Sequence, residues 1–306
     1  MSYKIKKAAV LGSGVMGSGI ACHLANVGID VLMLDILPKD LEKNKNRNAI
    51  SDGSLMRAVK SRPNPLYKKD YLKRIKTGNF EDDFDKISEA DWIIEVVVEN
   101  LEIKKQIFEK VEKYKTKGVI VTSNTSSIPI GLLCEGRSDD FKKNFCGTHF
   151  FNPPRYLRLF EVIPHDKTDS KLVDYLMEFG DIVLGKQTVL CKDTPAFIGN
   201  RIGVMAGIKL SQLTDKYNFT IEEVDLITGT VIGYPNSGTF RLQDLVGLDT
   251  SDKVTKFLVE NVKNDTFYSK LKDQPQNKSF KFLIDNNFLG NKSGKGYYEK
   301  TNKKDE

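Results

Sequence analysis

The chain has 306 residues, 40% of them hydrophobic and 29% charged, with a formal net charge of +6. That length holds about two domains and buries a core without disulfide or metal staples. No apolar run reaches the roughly 20 residues of a membrane span, the basic residues are too dispersed for a nucleic-acid groove, and Cys22, Cys134, Cys146 and Cys191 lack metal-ligand spacing, which points to reduced thiols and no metal.

The N-terminus runs straight into a strand pattern without signal-peptide anatomy, so the expected compartment is cytoplasmic. Lys7–Leu11 is a short apolar run that ends in glycines and reads as a buried parallel strand. Gly14–Val27 has helical spacing, with Met16, Ile20, Leu24 and Val27 on one side and Gly28 as terminator. Asp30–Ile36 is a second strand that finishes on Asp35. Strand, helix and strand with short connections form a parallel crossover unit.

The first turn of that unit, Gly12-Ser-Gly14-Val15-Met16-Gly17, fits a G-x-G-x-x-G pattern. Gly12 makes a tight turn, Gly14 lets a pyrophosphate approach the backbone, and Gly17 lets the helix pack on the strand. Asp35 is placed to accept hydrogen bonds from a ribose diol and to repel a 2′-phosphate, so the expected cofactor is NAD. A plain strand-end cap is its alternative use. Pro38–Ile75 is polar and strongly basic and reads as a helical excursion, interrupted by Arg62-Pro-Asn-Pro-Leu.

Further strands are expected at Trp92–Val98, Gly118–Ser123, Phe145–Phe151, Leu157–Ile163 and Val183–Cys191, with helices at Leu101–Tyr114 and Ser170–Phe179. This alternation predicts a doubly wound α/β sheet. After Asp193 the strand signals fade. Pro195–Tyr217, Thr220–Ile227, Phe240–Leu245 and Ser251–Val262 read as helices. The expected division is therefore an α/β domain over 1–192, carrying the excursion at 38–75, and a mainly α domain over 193–306. Thr301–Glu306 is charged and expected to fray.

Two residues stand out chemically. His149, one of three histidines, lies in an apolar and aromatic setting, and Glu161 follows on the next apolar run. A histidine with a carboxylate partner is the usual general base held in one tautomer. Val119–Ser127 is an apolar strand ending in hydroxyls and an amide, at the kind of carboxyl end where open α/β sheets bind ligands. Turn chemistry alone would explain those hydroxyls. His23 and His165 are read as structural.

Several motifs occur together and in order: Gly12-Ser-Gly-Val-Met-Gly-Ser-Gly19, Ser123-Asn-Thr-Ser-Ser127, Gly147-Thr-His-Phe-Phe-Asn-Pro153, Glu161-Val-Ile and Lys192-Asp-Thr-Pro-Ala-Phe-Ile-Gly-Asn-Arg201. In combination the chain resembles the L-3-hydroxyacyl-CoA dehydrogenase family of fatty-acid β-oxidation, nearly end to end. Val96–Lys104 and Glu135–Phe141 resemble most the dehydrogenase part of bacterial bifunctional proteins, in which an enoyl-CoA hydratase unit follows. The resemblance implies a Rossmann-type NAD domain and an all-α domain for substrate and dimerisation. It makes His149 the catalytic base and Glu161 its partner, and puts Ser126 and Asn200 against substrate.

Gly12, Gly14, Val15, Met16, Gly17, Asp35, Glu99, Lys104, Ser126, Asn152 and Lys292 fall at cofactor-lining positions. The excursion matches a helical hairpin that covers coenzyme A, with Ser61 and Lys68, together with Ser126, as contacts. The expected partners are an acyl-CoA substrate and either a second copy of the chain or a hydratase unit of a longer one. Two departures are Ala196, where many members have glycine, and a longer segment over Ile130–Asn144, which bears on acyl length. The competing readings are a dehydrogenase of a free hydroxy acid or sugar acid, which needs no coenzyme A cover, and a non-catalytic NAD-binding protein.

Overall fold

A computed structural model describes residues 3–40, 45–273 and 276–300. Two compact units divide it, Met1–Phe197 and Ile198–Glu306. The expected frayed end, Thr301–Glu306, and part of the excursion lie outside the described residues.

The first unit opens β1 (Lys7–Leu11), α1 (Val15–Asn26), β2 (Asp30–Asp35), α2 (Ala49–Lys60) and β3 (Ile75–Asn79). It continues β4 (Trp92–Glu95), α3 (Leu101–Tyr114), β5 (Ile120–Ser123), the short α4 (Ile130–Leu133) and α5 (Asp139–Lys143), β6 (Phe145–Phe150), β7 (Leu159–Ile163), α6 (Ser170–Ile182) and β8 (Gln187–Leu190). The strands form one sheet in the order β3-β2-β1-β4-β5-β6-β7-β8. Its first six positions follow the doubly wound dinucleotide-binding order, which reverses between β1 and β4. All pairs are parallel except β6 with β7.

Helices cover both faces of the sheet, which is why its central strands are almost continuously apolar. Along β1, Ala8 and Val10 enter one core, with Ile20, Leu24 and Trp92. Ala9 and Leu11 enter the other, with Phe108, Val111 and Phe141. Helix α1 ends as its sequence implies: Gly28 takes a positive φ of 90°, and its N–H bonds the Ala25 carbonyl. Asn100 caps α3 by accepting from the Ile103 N–H.

Two features depart from the strand and helix expectations, while the helical excursion agrees with them. β3 was not expected, because Ile-Lys-Thr-Gly-Asn is a polar sheet-edge strand without an apolar run. Val183 belongs to the end of α6 rather than to a strand, and Gly185, at a φ of 63°, turns the chain into the half-exposed edge strand β8. The excursion contains α2 and a 3-10 stretch over Lys69–Arg74 among the described residues.

The second unit is helical: α7 (Gly199–Tyr217), α8 (Ile221–Ile227), α9 (Phe240–Val246), α10 (Leu248–Asn261), α11 (Thr266–Leu271) and α12 (Lys278–Asp285). Helix α8 begins with a reciprocal capping box between Thr220 and Glu223. The last two helices went unexpected because they are too short to show a clear helical period. The first unit extends a few residues past the expected 192/193 boundary. The Asp193 carboxylate accepts from the Ile130 and Gly131 N–H groups at 2.9 and 3.0 Å, and Phe197 enters the core. Ala196 and Phe197 both have left-handed φ values, 58° and 51°. The alanine thus stands in a backbone conformation that favours glycine. No helix among the described residues is long and apolar enough to cross a membrane.

Candidate active site

Parallel order puts the ends of β1, β4, β5 and β6 on one edge of the sheet, and the residues following them gather there. After β1, Gly12 adopts a φ of 106°, and a Cβ on it would lie 2.6 Å from the Val96 carbonyl oxygen. A Cβ on Gly17 would lie 1.9 Å from the Gly12 oxygen, so any side chain there would push α1 off the turn. A Cβ on Gly14 would meet nothing within 4 Å, and no side chain caps the first N–H groups of α1. An open backbone approach to an uncapped helix start suits a pyrophosphate, so the turn fits NAD. Val15 and Met16 start that helix, with Val15 74% exposed.

Asp35, at the end of β2, is already engaged. One oxygen accepts from both the N–H and the hydroxyl of Ser13 at 2.6 Å, and the other from the Ile36 N–H at 2.7 Å. It therefore fixes the glycine turn, and a ribose contact would be added to this duty.

The His–Glu pair follows from sheet register. In the antiparallel β6/β7 pair His149 stands directly opposite Glu161, on the same face. His149 Nδ1 lies 2.7 Å from Glu161 Oε2, with the histidine 4% and the glutamate 0% exposed. A carboxylate only accepts, so Nδ1 carries the proton and Nε2 keeps its lone pair. Ser126, just beyond β5, presents its hydroxyl to that Nε2 at 3.1 Å. Phe151 and Phe197 flank the imidazole, with ring centroids 4.5 and 5.7 Å away.

Glu99 positions Ser126. Its Oε1 accepts from the Thr125 hydroxyl at 2.5 Å, from the Ser126 and Ser127 N–H groups at 3.0 Å, and from the Ser127 hydroxyl at 2.9 Å. Burial raises its pKa, but nearby Lys104 and these hydrogen bonds outweigh that, and the net shift is downward. Lys104, 1% exposed, pairs with Glu99 at 3.2 Å and with fully buried Glu95 at 2.7 Å. Glu95 also accepts from the Ser123 hydroxyl at 2.5 Å and the Val97 N–H at 2.7 Å. Burial pushes its carboxyl upward despite Lys104.

Two contributors went unnoticed in the sequence. Glu95 was visible as a charge inside the run Trp92–Val98. Asn124, whose side-chain oxygen accepts from the Phe150 N–H at 2.9 Å, gave no signal beyond turn chemistry.

Asn152 is exposed directly after β6. Ser61 and Lys68 are exposed on the excursion, beside exposed Lys60, Arg62 and Lys69. Asn200 and Lys292 belong to the second unit. Asn200 starts α7, and Lys292 pairs with Asp249. His23 and His165 hold structural places: their Nε2 atoms lie 3.1 Å from the Leu184 carbonyl and 3.0 Å from the Lys142 carbonyl. All four cysteines are free and buried.

Comparisons with known proteins identify the family of both units. Residues 7–194 match the 3-hydroxyacyl-CoA dehydrogenase NAD binding domain, and residues 197–300 match the C-terminal domain of the same family. A probable 3-hydroxyacyl-CoA dehydrogenase of Bacillus subtilis is 47% identical over 99% of this chain, which spans 39% of that protein. One of Deinococcus radiodurans is 45% identical over 97% of this chain and 84% of its own length. The crystal structure of (S)-3-hydroxybutyryl-CoA dehydrogenase PaaH1 from Ralstonia eutropha superposes with a TM-score of 0.76 at 28% identity, covering 97% of this chain and all of that one. With both family domains matched along one chain and a dinucleotide turn that accepts NAD, this protein belongs to the 3-hydroxyacyl-CoA dehydrogenase family.

Proposed function

We propose that the chain catalyses the reversible oxidation of L-3-hydroxyacyl-CoA to 3-oxoacyl-CoA with NAD, as a step of fatty-acid β-oxidation. The observation that carries this reading is the Ser126–His149–Glu161 relay, with its one accepting nitrogen facing a hydroxyl. Bound NAD supplies the hydride acceptor. The protein handles the proton. His149 Nε2 takes the proton of the C3 hydroxyl as C3 becomes a ketone. Glu161 stabilises the imidazolium that results and holds the ring in place, the logic of other His–carboxylate pairs. The Ser126 hydroxyl is freed to hydrogen-bond the C3 oxygen, and Glu99 keeps its backbone in position for a near-attack geometry.

From the family pattern, Asn200 contacts substrate, and Glu99, Lys104, Asn152 and Lys292 serve the cofactor side, Lys104 by holding Glu99. Ser61, Lys68 and the neighbouring lysines of the excursion meet the phosphates of coenzyme A. Oxidation releases a proton, so raising the pH favours the ketone and lowering it favours reduction.

The partner reading rests on the second unit. It exposes apolar side chains such as Ile202, Leu226, Val231 and Val246 (55–75% exposed), a cover for which is either a second copy or a hydratase unit of a longer chain.

NADH formation from L-3-hydroxyacyl-CoA esters of short and long acyl chains, with free 3-hydroxy acids as controls, tests the reading. Turnover of the CoA esters alone supports it and ranks acyl length. Turnover of the free acids replaces it with a hydroxy-acid dehydrogenase.

A further inference from the structure

The segment that follows β6 does more than carry Asn152. It is tied on one side to the sheet and on the other to the excursion. On the sheet side, Lys186 is 4% exposed, and its ammonium donates to the Pro154 carbonyl and, at 2.7 Å, to the Leu157 carbonyl. These two carbonyls bracket Arg155 and Tyr156. Pro154 also packs against α1 where Gly19 leaves room: a Cβ there would stand 2.9 Å from the proline ring. The segment is therefore a fixed shelf on β6 and α1.

On the other side, Arg155 Nη1 donates to the Asn64 carbonyl at 2.6 Å and the Leu66 carbonyl at 3.0 Å. Its guanidinium sits over two rings, Tyr67 of the excursion at 4.3 Å and Tyr156 of the shelf at 4.8 Å. The Tyr156 hydroxyl adds a bond to the Asn64 carbonyl at 3.0 Å. From α1, Asn26 bonds the Pro65 carbonyl and the Tyr67 N–H, each at 2.8 Å. The turn so held joins Ser61 to Lys68.

We infer that Arg155 is a positioning residue that sets the distance between the coenzyme A end and the thioester end of the substrate. This rests on the proposed function, in which Ser61 and Lys68 meet coenzyme A and His149 acts at C3. Five residues of braced chain separate His149 from Arg155, so the clasp fixes the excursion relative to the catalytic base. Only a planar guanidinium can donate in its plane while stacking on two faces. A substrate without the nucleotide does not engage the excursion and is indifferent to the clasp.

The test measures NADH formation by the full chain from L-3-hydroxybutyryl-CoA and from its N-acetylcysteamine thioester, which lacks the nucleotide. In Arg155→Ala, kcat/KM for the CoA ester should fall about tenfold, mostly through KM, the scale of a lost charge-assisted contact. The N-acetylcysteamine ester should stay within about twofold of wild type. Arg155→Lys, which keeps the charge without the stack, and Tyr67→Leu should show the same selective loss and carry the test if the alanine variant does not fold. Equal losses on both esters, or none, overturn the inference. A wild-type enzyme that uses the CoA ester no better than the short thioester overturns the coenzyme A reading and this inference with it.

Discussion

His149 and Glu161 interact through one short bond whose direction matters more than its strength. With the proton on Nδ1 held by the carboxylate, the accepting nitrogen faces Ser126. Replacing His149 by alanine should lower kcat by roughly 10²–10⁴-fold while NAD affinity stays near wild type, the scale of removing a general base. Steady-state kinetics together with NAD titration check this, and near-normal turnover would remove His149 from the mechanism. Glu161→Gln is the subtler probe. An amide can donate to Nδ1 and so favours the wrong tautomer. A loss of about 10² or more in kcat is expected without unfolding.

The strands and helices around the site are held by a buried charge cluster. Lys104 on α3 reaches back to Glu95 at the end of β4, and both are almost wholly shielded from water. A buried pair of this kind adds little net stability, but breaking it leaves an uncompensated charge. Lys104→Met should therefore cost about 3–5 kcal/mol, whereas the double variant Glu95→Gln/Lys104→Met should recover much of that loss. Urea unfolding of the single and double variants decides it, and additive losses would contradict the pairing. At the start of the same helix, Asn100→Ala removes the cap on the Ile103 N–H. About 1 kcal/mol is expected there, readable in the same experiment.

For the whole molecule, the acid side of the stability curve should carry the signature of His23. Burial, and then the nearby positive charge of Lys186, push its pKa from 6.5 down to about 4, partly opposed by the Leu184 carbonyl. Between those values the unfolded chain binds the proton and the folded chain does not. Stability from this residue is therefore full above pH 6.5, falls as pH is lowered, and stops falling below about pH 4. His23→Gln, which keeps a donor for Leu184, should reduce the loss between pH 7 and 4.5 by about 2–3 kcal/mol. Unchanged pH dependence in that variant would show that other groups dominate the limb.

Much of this architecture is legible from local pattern because the signals are local. Glycine spacing marks the dinucleotide turn, since no side chain fits at Gly12 or Gly17. Apolar runs mark β1, β4, β5 and β6, since strands covered on both faces have nowhere to place polar groups. The same reasoning misses β3, a polar edge strand without an apolar run, and starts β8 at Val183 instead of Gln187, because α6 runs on to that point. His149 and Glu161 stand out by residue type, but their antiparallel pairing belongs to the sheet. Tertiary structure alone joins Glu99 to the Ser126 loop, closes the Glu95–Lys104 pair and seats Arg155 between two tyrosines. Most of those contacts connect separate strands, helices or loops, and no periodicity encodes them. They exist because folding brings strand ends to one edge, where a buried polar group must find a partner or lose its hydration uncompensated.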